Sequence, residues 1–279
     1  MRGSVRLRDV ELRWGERTYL MGIVNVTPDS FSGDGIENEG GATEHALSQL
    51  SLGADLLDLG GESTRPGHQP VDERVEMARV IPVIDAVRRV RPGAPISVDT
   101  YKPDVARAAR IAGADLINSV CGAPAELVDV AAELAMPIVA MHNQSGTHYD
   151  RPVVDAVLAY LEECASRAVA RGVPPERVIL DPGIGFGKNA EQNLAVLARL
   201  DRVVALGFPT MIGTSRKSTI GKLTGREVGD RVYGTVATTA LAIAAGIDIV
   251  RVHDVGPARD SIAVSDAIVR GWRPAEWIE

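Results

Sequence analysis

Short apolar runs alternate with amphipathic stretches along almost the whole chain. Eight runs rich in Val, Ile and Leu are typical of strands buried on both faces, because each is nearly continuous in apolar residues and ends in polar or turn-forming ones. They cover residues 19–26, 54–60, 95–100, 114–120, 136–142, 177–183, 208–213 and 248–254. Between them, apolar residues recur at helical spacing, most clearly over residues 72–90, 102–113, 153–172 and 234–246. Three of these four stretches end on glycine, as a helix C-cap would.

This alternation predicts an α/β fold with a parallel sheet, and eight strand–helix units in about 250 residues match a (βα)8 TIM barrel. Residues 5–18 are left over and predict an N-terminal β-hairpin that closes the barrel floor, within an extension at residues 1–19. No Pro/Ser-rich linker or charge block divides the chain, so we expect residues 1–279 to form a single domain. The alternative is a doubly wound open sheet, which would more often carry a GxGxxG turn after its first strand, where this sequence has none.

Almost every predicted strand ends on a polar residue. In a (βα)8 barrel the carboxyl ends of the strands form the mouth in which active sites are built. Helix capping is a reasonable alternative for any one of these residues, but it does not easily explain the whole set. The set comprises Asn25, Asp58, Asp99, Asn118, His142, Asp181 and His253.

One group of these residues predicts an anion site. Arg251 and His253 are two positions apart, so their side chains share a face of the strand and both should point into the mouth as cations. The alternative is that Arg251 pairs with a helix carboxylate on the outer layer. Thr64 and Arg65 come from a loop rich in Gly and Pro and would converge on the same point. Arginine suits phosphate because its planar guanidinium bonds two oxygens at once. Asn25 offers a neutral oxygen for a Mg²⁺ that takes the rest of its shell from water and a diphosphate.

A second group is suited to a flat heterocycle. Asp99, Asn118 and Asp181 offer acceptors and one amide deep in the mouth, and Lys217 adds a donor. An aspartate accepting from a ring N–H and an exocyclic amine fits a ring with an amino–imino edge opposite a carbonyl.

Two of the three phenylalanines lie in glycine-rich loops. Phe31 follows the first predicted strand and Phe186 follows the sixth. We expect them to close over something flat, because an exposed aromatic ring is otherwise unfavourable; packing against neighbouring loops is the alternative.

Composition narrows the possible functions. A net charge of −7 argues against binding to a nucleic-acid backbone. Cys121 and Cys164 are far apart and show no zinc-site or disulfide-framework spacing. No apolar run approaches the roughly 18 residues of a membrane span, and residues 1–10 lack the apolar core of a signal peptide. We therefore expect a cytoplasmic protein that binds neither nucleic acid nor membranes.

Six segments, in order and spacing, closely resemble the signature segments of dihydropteroate synthase. They are residues 21–32, 60–67, 97–100, 180–188, 213–221 and 251–255. The resemblance implies a (βα)8 barrel that joins 6-hydroxymethyl-7,8-dihydropterin diphosphate to p-aminobenzoate with Mg²⁺, releasing pyrophosphate in folate synthesis. It also implies a homodimer, which we expect to form through outer helices near residues 234–246, although the small apolar residues there could instead line the barrel wall.

The resemblance implies roles for individual residues. The pterin pocket would comprise Asp99, Asn118, Met141, Asp181, Phe186, Lys217 and Arg251. The diphosphate would contact Asn25, Thr64, Arg65, Arg251 and His253, with Asn25 as the Mg²⁺ ligand. The p-aminobenzoate pocket would comprise Phe31, Thr64, Pro66, Phe186, Lys217 and Ser218. The catalytic groups would be Lys217, Arg251 and, as a negative charge near the pterin methylene cation, Asp29 or Asp34. Arg216 would brace a loop by pairing.

Two departures from the family pattern touch the loops. Ser119 follows Asn118 where the family commonly has Asp, and residues 31–41 differ from its usual Phe-Ser-Asp-Gly-Gly. Sulfonamide sensitivity is left open by these changes. Two alternatives remain: a catalytically silent paralogue, and the methyltetrahydrofolate-binding module of corrinoid methyltransferases, which has no need of the anion site.

Overall fold

A parallel β-sheet closes into a barrel at the centre of the molecule. The computed structural model describes residues 3–27, 39–63 and 69–274. The barrel strands, in chain order, are β3 (Tyr19–Asn25), β4 (Leu56–Gly60), β5 (Ile96–Asp99), β6 (Leu116–Ser119), β7 (Ile138–Met141), β8 (Val178–Asp181), β9 (Met211–Ile212) and β10 (Ile249–Val252). They pair in the order β8-β7-β6-β5-β4-β3-β10-β9. A parallel bridge between Leu180 and Thr210 joins the two ends of this order, with Leu180 N donating to Pro209 O at 2.8 Å. The predicted (βα)8 barrel is confirmed.

Helices surround the barrel. They are α1 (Glu39–Ser51), α2 (Glu73–Val90), α3 (Pro103–Ala112), α4 (Ala125–Glu133), α5 (Val153–Ala170), α6 (Ala190–Leu197), α7 (Leu200–Val204), α8 (Ser218–Thr224), α9 (Val232–Ala244) and α10 (Val255–Val269). Outward-facing strand residues such as Leu57, Val98 and Ile117 are fully buried against helix residues such as Ile84 and Leu127. The strands are continuously apolar because both of their faces are buried, as expected from the sequence.

An antiparallel hairpin, β1 (Ser4–Leu7) with β2 (Val10–Arg13), covers the amino-terminal end of the barrel. Its apolar side chains Val5, Leu7 and Leu12 form one buried cluster with residues at or near the starts of seven barrel strands. Trp14 joins the same cluster and donates its indole N–H to Glu176 O at 3.0 Å. The hairpin closes the floor as predicted, which leaves the mouth as the open end. No helix in the described ranges is both long and apolar enough to cross a bilayer.

Candidate active site

The strand register places several polar residues at one level of the mouth. Asn25 pairs with Gly60, Gly60 with Asp99, and Asp99 with Asn118. Gly60 has no side chain, and a Cβ there would lie 3.5 Å from the Asp99 Cβ. Parallel pairing of these strands therefore gathers an amide, a carboxyl and a second amide around one opening.

A buried ion-pair network forms the base of this opening. Arg251 donates from Nε to Asp58 Oδ2 at 2.6 Å and from Nη2 to Asp99 Oδ2 at 2.9 Å. Asn118 Nδ2 donates to the same Asp58 oxygen at 2.9 Å. Arg251 therefore points into the barrel mouth, and the alternative of an outer-layer pair is wrong. Asp58 lies in the middle of β4 rather than at its end, so it sits one layer below Asp99.

Burial shifts the ionisation of the two acids proposed to face the ligand. It raises the pKa of Asp99 to about 7, although the Arg251 charge opposes the shift. It also raises the pKa of Asp181 to about 6, opposed by the hydrogen bond from Gly183 N and by the charge of Lys217. Burial lowers the pKa of Arg251, but the charges of Asp58 and Asp99 outweigh that effect and leave it above its ordinary value. The guanidinium is therefore a permanent cation beside two carboxyls that titrate near neutrality.

Lys217 and Phe186 meet on the opposite side of the mouth. The Lys217 ammonium lies 4.2 Å from the centroid of the Phe186 ring, a cation–π contact. Burial and the Arg251 charge lower the pKa of Lys217 to about 8, while Asp181 and Asp99 raise it. Ser218 follows as the exposed first residue of α8. The structure thus brings the predicted Lys217, Phe186 and Ser218 to one side of the opening.

His253 enters the mouth as a neutral donor rather than a cation. Its pKa lies well below the ordinary value because the imidazole is buried and faces the charges of Arg251 and Arg216. The direction of this shift favours a neutral imidazole over the positive charge expected at this position. Its Nδ1 lies 3.0 Å from Ser215 Oγ, which also accepts the His253 backbone N–H at 3.1 Å. The serine can give its own proton to Nδ1, and Nε2–H is then free to donate.

Two further predicted residues have clear placements. Arg216 pairs with Asp254 through Nε–Oδ2 at 3.0 Å and Nη2–Oδ1 at 2.6 Å, so it braces the loop after β9 as expected. Met141 is buried at the end of β7, where it pairs in register with Asp181. None of the seven polar strand-end residues in the predicted set (Asn25, Asp58, Asp99, Asn118, His142, Asp181 and His253) is the N-cap of a described helix, so capping does not explain that set.

Six of the predicted site residues lie outside the described residues. They are Asp29, Phe31, Asp34, Thr64, Arg65 and Pro66. Their proposed roles stay predictions from the sequence.

Three functional-site features were missed in the sequence. The sequence predicts Asp58 as a mouth residue, but it does not indicate that Asp58 pairs with Arg251, 193 positions away. Lys188 ends the segment 180–188 and is buried, although it reads as one more polar loop residue. Glu62 and Lys102 form an ion pair at 2.6 Å beside the mouth. The signal available for Asp58 was a lone acid between leucines in a strand buried on both faces.

Comparisons with known proteins agree with this geometry. A family model described as "Pterin binding enzyme" matches residues 21–253. The dihydropteroate synthase of Clostridium beijerinckii is 44% identical over 270 residues, covering 95% of this chain and 100% of that protein. The chain belongs to the dihydropteroate synthases, within the pterin-binding enzymes.

Solved structures of this family have the same fold. The dihydropteroate synthase of Clostridium difficile, crystallised in the presence of pteroic acid, is 46% identical with a TM-score of 0.87, covering 92% of this chain and 98% of that one. The enzyme of Xanthomonas albilineans with 4-aminobenzoic acid is 44% identical with a TM-score of 0.87, covering 95% and 98%. These family members favour dihydropteroate synthesis over the corrinoid methyltransferase alternative.

Proposed function

We propose that the barrel mouth binds 6-hydroxymethyl-7,8-dihydropterin diphosphate and transfers its dihydropterin-6-ylmethyl group to the amine of p-aminobenzoate, giving 7,8-dihydropteroate and pyrophosphate. The observation that carries this proposal is the Arg251 guanidinium, fixed by Asp58 and Asp99 beneath a ring of buried acceptors. The family relationship and the ligands named for its solved structures, pteroic acid and 4-aminobenzoic acid, support the same substrates.

The pterin would satisfy acceptors that the protein leaves open. Asp99 Oδ1 and Asn118 Oδ1 are buried and have no hydrogen-bond partner among the described residues. Buried polar atoms are rarely left unpaired, so such atoms point to a ligand or ordered water. Asp181 holds Gly183 N on one oxygen at 2.7 Å and can offer the other to a pterin N–H. Met141 and Phe186 would contact the ring, Lys217 its edge, and Arg251 would lie beneath it.

The diphosphate would lie above Arg251 and the His253 imidazole, together with Thr64 and Arg65. A neutral His253 suits this role because its Nε2–H can donate to a phosphate oxygen.

Asn25 would hold Mg²⁺: its half-exposed amide ends β3, and no hydrogen bond to its side chain is found among the described residues. A single neutral ligand, the Asn25 side-chain oxygen, suits a Mg²⁺ ion that keeps several of its waters. When bound, the ion would neutralise charge on the departing diphosphate.

The p-aminobenzoate would lie beside Phe186, with Lys217 and Ser218 near its carboxylate and Phe31, Thr64 and Pro66 completing the pocket.

In the proposed reaction, the C–O bond to the diphosphate breaks, the methylene carbon forms a C–N bond to the aromatic amine, and that nitrogen releases a proton. Arg251 and His253 stabilise the charge that develops on the leaving group. Asp29 or Asp34 would stabilise the pterin methylene cation.

One incubation tests this reaction. The purified chain is mixed with pterin diphosphate, Mg²⁺ and p-aminobenzoate, and dihydropteroate and pyrophosphate are quantified. Both products should form in equal amounts, and excess EDTA should abolish them. Absence of both would favour a catalytically silent paralogue, and undiminished product in EDTA would remove the metal role of Asn25.

We also propose a homodimer formed through α9 and α10. Tyr233 and Leu241 of α9 and Val264 and Ile268 of α10 are 85%, 68%, 61% and 78% exposed. Large apolar side chains grouped on neighbouring helices are typical of an interaction surface. We further propose that the protein is cytoplasmic. Cys121 and Cys164 are both free thiols, and cysteines stay reduced in the cytoplasm.

A further inference from the structure

Lys188 is a buried amine that binds neutral groups. It follows the glycine-rich loop after β8, and its Nζ contacts His142 Nδ1 at 2.8 Å, Gly183 O at 2.9 Å and Phe186 O at 3.0 Å. The residue is 7% exposed. Within the described residues no carboxylate oxygen lies within 4.0 Å of this amine, although the Asp181 charge is near enough to raise its pKa. An ammonium has three N–H donors, and here all three have acceptors.

Such a placement is unfavourable in isolation. Taking an ammonium out of water costs several kcal/mol unless its environment compensates. Burial accordingly lowers the pKa of Lys188 to about 7. A leucine or methionine would fill the same space without this cost. The contribution of the amine must therefore come from its hydrogen bonds to the surrounding groups.

Those groups belong to a tightly wound loop. Gly183, Gly185 and Gly187 all have positive φ, at 67°, 86° and 60°. A Cβ at Gly183 would collide with His142 O, and one at Gly187 would lie 2.6 Å from Gln144 O. The loop is therefore pressed against the segment that follows β7, and the Lys188 amine lies inside the turn.

The loop contacts two proposed substrate-binding residues. Gly183 N donates to Asp181 Oδ1 at 2.7 Å, and the Phe186 ring lies 4.2 Å from Lys217 Nζ. A Cβ at Gly185 would lie 3.1 Å from Lys217 Cδ, so the loop backbone also lies against the lysine stem. A displacement of this loop would therefore move the Phe186 ring relative to Lys217.

We propose that Lys188 is a positioning residue for the condensation: by binding Gly183 O and Phe186 O from inside the loop and anchoring to His142, it fixes the Phe186 ring against Lys217 where p-aminobenzoate is to bind. It is not a catalytic residue, because its donors are all engaged and its side chain is covered. The inference rests on the proposed function, since the site that it shapes is the proposed p-aminobenzoate pocket.

His142 provides a rigid anchor for the amine. Its ring stacks on Tyr149 at 6.2 Å and meets Tyr160 edge-on at 4.9 Å between centroids. Burial and the Lys188 charge lower the pKa of His142 to about 4, which keeps Nδ1 available as an acceptor at neutral pH. Tyr149 also donates to Gly187 O at 2.8 Å, so the loop is held at both ends.

The test compares Lys188→Met with Lys222→Met, a lysine exposed on α8. Initial rates are measured while p-aminobenzoate and pterin diphosphate are varied separately, and circular dichroism confirms folding. A misplacement of about 1 Å can cost up to about 10²-fold; we expect Lys188→Met to raise KM for p-aminobenzoate about tenfold or more. The KM for pterin diphosphate should rise less, because Asp99, Asn118 and Arg251 would bind the pterin from outside this loop, and Lys222→Met should behave as wild type.

A double-mutant cycle separates positioning from general loss of structure. If Lys188 acts through the Phe186 ring, Lys188→Met should have little further effect on KM for p-aminobenzoate in a Phe186→Ala background. Fully additive effects, or an unchanged KM in folded Lys188→Met, would overturn the inference. If Lys188→Met does not fold, Lys188→Ala with added propylamine replaces it: an amine-dependent fall in KM supports the inference, and none contradicts it. Failure of the wild type to form dihydropteroate would instead count against the proposed function.

Discussion

Arg251 combines two demands that conflict in a single side chain. It must remain charged to bind a diphosphate, yet it lies in a cavity where burial disfavours charge. Asp58 resolves this conflict, because a fully buried carboxylate 2.6 Å from Nε keeps the guanidinium protonated and fixes its direction. The second nitrogen contacts Asp99, which is proposed to bind the pterin. One residue therefore links the diphosphate and pterin parts of the proposed site.

Replacing Arg251 by alanine should remove most turnover in a chain that still folds, at a stability cost of about 3–5 kcal/mol because Asp58 and Asp99 lose their cation. We expect kcat to fall by about 10²–10³, as for the loss of one donor to a developing anion. The control is Arg171→Ala, which breaks an exposed pair with Asp129 and should leave kcat unchanged. Arg251→Lys keeps a charge but cannot bridge two carboxyls, so its kcat should lie between these variants. Wild-type turnover in folded Arg251→Ala would remove this residue from the site.

Asp181 should make the empty protein less stable as pH rises. Its folded pKa is raised to about 6 from 3.8, mainly by burial, so the folded chain holds a proton that the unfolded chain releases between about pH 4 and pH 6. Stability is therefore greatest below that window and falls through it. Asp181→Asn keeps an oxygen for Gly183 N and cannot ionise. Its loss of unfolding free energy between pH 4 and pH 7, from urea titrations, should be smaller than that of wild type by about 2 kcal/mol. Equal losses in both proteins would contradict the raised pKa.

Residue types could be predicted from the sequence, but partners and charge states could not. Asp99, Asn118 and Arg251 were placed in the mouth because strand alternation and strand ends are local properties. The pairing of Arg251 with Asp58 joins positions 193 apart and depends on barrel closure. The neutral state of His253 depends on burial and on Arg251 and Arg216, which no spacing rule shows.

At the scale of elements, Lys102 links the strand–helix units β4–α2 and β5–α3. It follows β5, and its ammonium contacts Glu62 Oε2 at 2.6 Å, Val71 O at 2.7 Å and Glu76 Oε2 at 2.6 Å. Glu62 also accepts Tyr101 Oη–H at 3.0 Å. These contacts fix residues on both sides of the segment 64–68 and tie them to α2.

Lys102→Met should be strongly destabilising. Glu62 and Glu76 are 2% and 1% exposed in their side chains, so replacing the ammonium removes a cation that contacts two buried carboxyl groups at 2.6 Å. Breaking such a pair costs about 3–5 kcal/mol. The matched control is Arg107→Met, which breaks an exposed pair with Glu133 and should cost about 0–1 kcal/mol. Denaturant titrations of both variants check this, and equal small losses would show that Lys102 is not needed for stability.

Long elements are easier to predict from the sequence than short ones. The 18-residue α2 and α5 repeat an apolar stripe over several turns, so their pattern is unambiguous. The seventh barrel strand, β9, contains only Met211 and Ile212. Its neighbour Pro209 accepts Leu180 N from β8, and Thr210 O accepts Asp248 N and Ile249 N on the β10 side. A sequence pattern indicates that a strand is present there, but its bounds depend on the strands beside it.

For the whole molecule, we propose that residues 1–279 form one cooperative unit. The hairpin and the barrel share a single interior cluster, in which Leu12 contributes a fully buried side chain and Tyr19 of β3 donates its hydroxyl to Glu11 O at 3.1 Å. Within this cluster, the hairpin and the barrel strands bury their apolar side chains against each other. The sequence indicated a leftover hairpin, and the barrel interior provides the reason for its retention.

The proposed dimer gives the last prediction. The patch on α9 and α10 leaves Leu241 and Ile268 exposed, and an aspartate at each position would have to be desolvated in an interface. Wild type should sediment at micromolar concentration with twice the 29.6 kDa mass of one chain, whereas Leu241→Asp with Ile268→Asp should sediment at the mass of one. Ile111→Asp is the matched control: Ile111 is 89% exposed on α3, which follows the third barrel strand and lies across the barrel from α9. It should leave the dimer intact. A monomeric wild type, or equal dissociation by Ile111→Asp, would contradict an interface on α9 and α10.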